Sequence, residues 1–111
     1  MKGIDGLPVF PVTASSNSEG RLEIGGIDTQ DLVTQYGTPL YVFDEETLRS
    51  VASDFQLAFG SRYANTRIVY ACKAFANVGL IALLSKMDLG FDAVSGGEIA
   101  AIEAAQVDMG S

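Results

Sequence analysis

Arg67-Ile68-Val69-Tyr70-Ala71-Cys72-Lys73 is an apolar run of β-branched and aromatic residues closed by a lysine, the composition of a strand. Residues 77–87 follow, with Val78, Leu80-Ile81 and Leu83-Leu84 at helical spacing and Gly90 as the stop. Phe91-Asp92-Ala93-Val94 is a second short strand, and residues 97–106, alanine-rich with Ile99, Ile102 and Glu103, are a second helix. Strands alternating with helices across short βα loops indicate a parallel α/β sheet or barrel.

Upstream the same alternation has begun. Leu40-Tyr41-Val42-Phe43, introduced by Thr38-Pro39, reads as a buried strand. Asp44 is placed to cap the next helix, with Glu45 and Glu46 in its first turn, where the helix dipole favours anions. Leu48, Val51, Phe55 and Leu57-Ala58 carry that helix to Gly60. Earlier still, Arg21-Leu22-Glu23-Ile24 alternates polar and apolar and stops at Gly25-Gly26, a short strand. Asp28 caps a short helix running to Tyr36 and ended by Gly37. Residues 1–20, with Pro8, Pro11 and Ser15-Ser16-Asn17-Ser18, read as arm and loop. Downstream, a third core strand is due near Val107, yet the chain stops at Ser111. That pattern is expected of a truncated architecture, since a full barrel takes roughly 250 residues.

Composition narrows the chemistry. With 48% apolar residues among 111 and a formal charge of −7, the chain has material for a core but no basic footprint for nucleic acid. It has no histidine, so Ser-His-Asp triads, Cys–His nucleophiles and histidine-based metal sites are excluded among these residues. Cys72, the single cysteine, permits no internal disulfide and reads as a small buried hydrophobe. Residues 1–6 lack the apolar stretch of a secretory signal, and no run is long enough to span a membrane. A soluble, cytoplasmic protein is the expectation.

In a parallel α/β architecture, functional groups gather at the carboxyl ends of the strands. Lys73 ends one strand and Ser95-Gly96-Gly97-Glu98 follows the next. Two readings of Lys73 stand side by side. Its stem covers apolar surface while the ammonium reaches water, or desolvation lowers its pKa and makes it a carbonyl-attacking amine. Ser95 and Glu98 have the spacing of a capping box, which on spacing alone is the better reading. Asp92, a carboxylate in an apolar strand, is either a rim residue or an ion-pair partner of Lys73.

Four segments taken together resemble the diaminopimelate decarboxylases. They are Gly37-Thr38-Pro39-Leu40-Tyr41-Val42-Phe43-Asp44, Tyr70-Ala71-Cys72-Lys73-Ala74-Phe75, Gly90-Phe91-Asp92-Ala93-Val94-Ser95-Gly96-Gly97-Glu98 and the leader Leu22-Glu23-Ile24-Gly25-Gly26-Ile27-Asp28. The likeness runs from about residue 21 to residue 107. It implies the opening βα units of a TIM-type (α/β)8 barrel of the alanine racemase-like, fold-type III class, using pyridoxal 5′-phosphate. Residues 1–36 would be an amino-terminal arm whose short strand packs on a carboxy-terminal β domain, and residues 37–111 part of the cofactor-binding barrel. By this likeness Lys73 is the Schiff-base lysine, while Asp92, also a cofactor-binding candidate, and Glu98 are active-site carboxylates. Related ornithine decarboxylases show the same separations, nineteen and twenty-five residues beyond the lysine.

The implied reaction converts meso-2,6-diaminopimelate to L-lysine and carbon dioxide in lysine biosynthesis, by a homodimer acting on a small amino acid. Alternatives within the fold are decarboxylases of arginine, ornithine or carboxynorspermidine, and outside catalysis a non-catalytic homologue. The family's phosphate loop, the acidic partner of the pyridine nitrogen, the substrate arginines and a late catalytic cysteine would lie beyond Ser111. These 111 residues alone are therefore expected to bind cofactor poorly and not to turn over.

Overall fold

A computed structural model describes residues 9–108 and residue 110. The arm expected at residues 1–8, and residues 109 and 111, lie outside the described residues. The chain divides into two compact units, Met1–Val51 and Ala52–Ser111.

In the first unit, β1 (Ser15–Ser16), β2 (Leu22–Ile24) and β3 (Ile27–Asp28) form an antiparallel meander. The serines, expected as loop, are a strand because Ser15 pairs with Glu23 and Ser16 with Leu22. A ladder needs backbone groups and does not need apolar side chains. The β2–β3 connection is Gly25-Gly26 at φ 60° and 75°, the positive pair that a tight two-residue hairpin turn demands.

Asp28 organises this unit. It is 8% exposed and accepts from Asn17 Nδ2 at 2.9 Å, Arg21 Nε at 2.6 Å and the Gln30 amide at 2.8 Å. The last bond caps helix α1 (Thr29–Tyr36), as the sequence indicates, and Gly37 closes it at φ 80°. The Gln30 amide and then the Arg21 guanidinium hold the Asp28 carboxyl below its ordinary range.

Residues 40–43 depart from expectation. They belong to neither sheet, and Leu40, Tyr41, Val42 and Phe43 are 38, 86, 42 and 48% exposed. β propensity alone makes no strand; a neighbour's amides and a covered face are also needed, and among the described residues neither sheet supplies them. Asp44 caps helix α2 (Glu45–Gly60) as expected, accepting the Thr47 amide at 2.9 Å. Burial pushes the Asp44 carboxyl up, but bonds from Thr47 and Thr13 outweigh it and leave the group below its ordinary range.

The second unit holds the parallel pair. β4 (Val69–Ala71) runs alongside β5 (Gly90–Asp92), joined by a 3₁₀ turn (Cys72–Ala74) and helix α3 (Val78–Ser85), with helix α4 (Gly96–Ala104) after β5. This is the βαβα order read from the sequence. The expected strand 67–73 shortens to three residues, because its partner runs only from Gly90 to Asp92. Lys73 therefore lies in the turn after the strand. The expected β-strand start at Val107 is also absent: Val107 packs instead against the core.

Cys72, Ile81 and Ile102 are 1, 0 and 4% exposed and form the core of this unit, with Tyr70, Phe91, Ala93, Ala101, Ala105 and Val107 packed on it. Asn77 caps α3 through the Gly79 amide at 2.9 Å and the Leu80 amide at 3.4 Å. That helix does not wait for Gly90 to stop. It ends at Lys86, and Asp88 takes the left-handed conformation at φ 58°, which Asp tolerates better than most residues. Gly90 is a glycine for another reason: a Cβ there would sit 3.1 Å from Arg67 Nε. The Gln56 side chain donates to the Met87 carbonyl at 2.7 Å, tying α2 to the turn after α3.

Candidate active site

Strand alternation sets the geometry of the site. Tyr70 and Phe91 are paired in register and both pack on the core. Ala71 and Asp92, the next pair, therefore project from the opposite sheet face, the one α3 and α4 leave open. Asp92 is exposed there, at the carboxyl end of β5. Lys73 follows Ala71 by two residues and is likewise exposed. The two residues singled out from the sequence thus sit at adjacent carboxyl ends of parallel strands.

They are not an ion pair. Ion pairs do join Arg21 to Glu19 and Asp28, and Arg49 to Glu45. The strand ends bring Lys73 and Asp92 to one edge, but the register sets Asp92 opposite Ala71, and Lys73 lies in the 3₁₀ turn beyond the ladder. The Lys73 side chain is exposed, at the end of an otherwise apolar run.

Glu98 is already engaged. Its Oε2 accepts the Val94 amide at 2.6 Å, while its own amide donates to Ser95 Oγ at 3.2 Å. The capping box expected from spacing is present in modified form, with the carboxylate reaching one residue further back than the cap amide. The glutamate thereby closes the turn from Asp92 into α4. Glu98 and Asp92 also lie near enough to Cys72 to act on it: burial first, then these two charges, raise the thiol above its ordinary value. Cys72 is the inert buried hydrophobe that composition suggests.

One residue escaped the sequence reading. The Tyr70 hydroxyl donates to the Phe75 carbonyl at 3.0 Å, spanning the turn that holds Lys73. The signal was present in the strand's alternation, which puts Tyr70 on the same side as Cys72. A cleft of about 330 Å³ bordered by Arg67, Gly90, Phe91, Ile99, Ile102 and Val107 contains none of Lys73, Asp92 or Glu98. It shares Ile102 with the core and belongs to the packing of β5 against α4.

Comparison with known proteins shows the family. Residues 46–110 match the family described as pyridoxal-dependent decarboxylase, pyridoxal binding domain. Diaminopimelate decarboxylase of Synechocystis sp. is 42% identical over 92 residues, 82% of this chain and 20% of that protein. The Bacillus subtilis enzyme of the same name is 45% identical over 87 residues, 78% of this chain and 20% of that protein. A crystal structure of diaminopimelate decarboxylase from M. jannaschii superposes with a TM-score of 0.71 at 34% identity, over 86% of this chain and 23% of that one. The chain spans about a fifth of the length of these curated relatives. The α/β class read from the alternation of strands and helices stands, as the opening βα units of that fold. Through the match over its second half, with Lys73, Asp92 and Glu98 inside it, the chain belongs to the pyridoxal-dependent decarboxylase family.

Proposed function

We propose that the protein is a diaminopimelate decarboxylase, converting meso-2,6-diaminopimelate to L-lysine and carbon dioxide with pyridoxal 5′-phosphate. One observation carries this reading: an exposed lysine with no hydrogen bond or ion pair to the described residues sits at the carboxyl end of β4, beside an exposed aspartate at the end of β5. The Synechocystis and B. subtilis relatives supply the substrate, and a second M. jannaschii structure is described as a co-complex with L-lysine.

The donor set suits the cofactor. A primary amine without a competing partner is what covalent attachment to an aldehyde requires, and a carboxylate on the adjacent strand end places negative charge beside it. When bound, pyridoxal phosphate supplies an electron sink for the pair left behind as carbon dioxide departs. Lys73 Nζ is the point of attachment. Asp92 is the active-site carboxylate at the neighbouring strand end. Glu98, bonded to the Val94 amide, keeps the turn that follows Asp92 closed.

Residues 1–36 are the amino-terminal arm and residues 37–111 part of the barrel in this proposal. The antiparallel meander of residues 15–28 lies before that boundary and the parallel pair of residues 69–92 after it. The active protein is a cytoplasmic homodimer in this proposal.

The test is to add pyridoxal phosphate to the intact protein, reduce with borohydride and locate the adduct by mass spectrometry. Wild type is expected to carry it on Lys73 and to release carbon dioxide from meso-diaminopimelate, and Lys73→Ala to do neither. A Lys73→Ala protein that trapped cofactor at the wild-type level would remove Lys73 from this role.

A further inference from the structure

We propose that Tyr70 is a positioning residue for Lys73, its phenol acting as a clasp across the Cys72–Ala74 turn. The inference rests on the reading of Lys73 as the attachment point.

The turn is short, and no side chain caps its start. It is a three-residue 3₁₀ segment whose N-cap, Ala71, has no side chain able to accept a turn amide. Such segments have weaker hydrogen-bond geometry than an α-helix. Two anchors compensate. Cys72, at the start, is 1% exposed and fixed in the core with Ile81 and Ile102. Phe75, just past the end, offers its carbonyl to Tyr70 Oη at 3.0 Å. Lys73 lies between these anchors, exposed, so the direction in which its stem leaves the backbone is set by them.

Tyr70 suits the task because its two ends face different surroundings. The ring packs on the core cluster, which leaves the side chain few alternatives, while the hydroxyl reaches out to the carbonyl. Burial, with the Cys72 charge second, raises the phenol above its ordinary value against the opposing effect of the Phe75 bond. A phenol is protonated, and so a donor, at neutral pH. Tyr70→Phe keeps the ring in the core and deletes only the clasp.

The experiment compares wild type and Tyr70→Phe in the intact protein, with two readouts. Hydrogen exchange of residues 72–77 reports the turn without any cofactor. Borohydride-trapped pyridoxal phosphate on Lys73, divided by that on Lys86, reports how well the lysine is presented; Lys86 is an exposed lysine at the end of α3. Tyr70→Phe is expected to speed exchange across the turn and lower the labelling ratio roughly two- to tenfold, the range spanned by one uncharged hydrogen bond. Exchange in α4 should stay unchanged.

Unaltered exchange in the turn would overturn the clasp. Faster exchange with an unaltered labelling ratio would overturn the positioning role. A wild-type protein that labels Lys73 no better than Lys86 would instead defeat the attachment reading, and the positioning role with it.

Discussion

Replacing Ile81 by alanine should open the floor beneath the candidate site. Ile81 is 0% exposed and meets Cys72 and Ile102 in the core cluster, so the substitution removes three buried carbons. At about 0.8 kcal/mol per buried CH₂ the transfer loss is about 2.4 kcal/mol. A residual cavity raises the cost to about 3–4 kcal/mol, inside the range of about 2–5 kcal/mol found for such truncations. At about 1.36 kcal/mol per decade, that multiplies the open population of this core by roughly 150- to 900-fold.

Cys72 makes the change readable at one atom. Its thiol is buried against Ile81, and its raised pKa slows it further, so thiol-reagent labelling in the native protein requires opening. Labelling followed by mass spectrometry at fixed pH should be about 150- to 900-fold faster in Ile81→Ala. In Ile81→Val it should be about two- to tenfold faster, matching a cost of about 0.5–1.5 kcal/mol. An acceleration below about fivefold in Ile81→Ala would mean that Ile81 does not hold Cys72 in a packed core, and the account of the turn would fail with it.

The caps and carboxylates give further expectations. Ser95→Ala should lower the stability of α4 by about 1 kcal/mol, seen as faster hydrogen exchange in residues 96–104, because Glu98 then loses an acceptor for its amide. Asp28 titrates below its ordinary value, so its contribution is present above about pH 4 and is lost as pH falls through the depressed folded value. Acid unfolding of the first unit followed by fluorescence or hydrogen exchange should therefore weaken its pH dependence in Asp28→Asn. That variant keeps an N-cap acceptor but not the charge facing Arg21, and an unchanged acid profile would contradict the assignment.

Local chemistry was legible at many points. Asp28, Asp44 and Ser95 each precede a helix and each accepts an amide of its first turn, because capping is settled within three residues of chain. Helical spacing in 77–87 and alanine content in 97–106 locate α3 and α4 to within a few residues. Residues 40–43 failed for the opposite reason. Their composition suits a strand, but a strand is a property of two chains, and neither sheet accepts this one. The end of α3 was misplaced because Gly90 looked like a stop; its small size serves the close approach of Arg67, and Asp88 supplies the turn.

Lys73, Asp92 and Glu98 could be chosen from spacing and resemblance, and so could their place near strand ends, since alternating strand and helix periods survive any detail of packing. Which groups they touch could not. The parallel register sets Asp92 opposite Ala71, the 3₁₀ turn takes Lys73 off the ladder, and the Glu98 carboxylate settles on the Val94 amide. Tyr70 found the Phe75 carbonyl only once the turn had closed. Periodicity and capping are encoded within a few residues, whereas register and turn closure depend on energies shared among β4, β5, α3 and α4, and so emerge only when those elements pack.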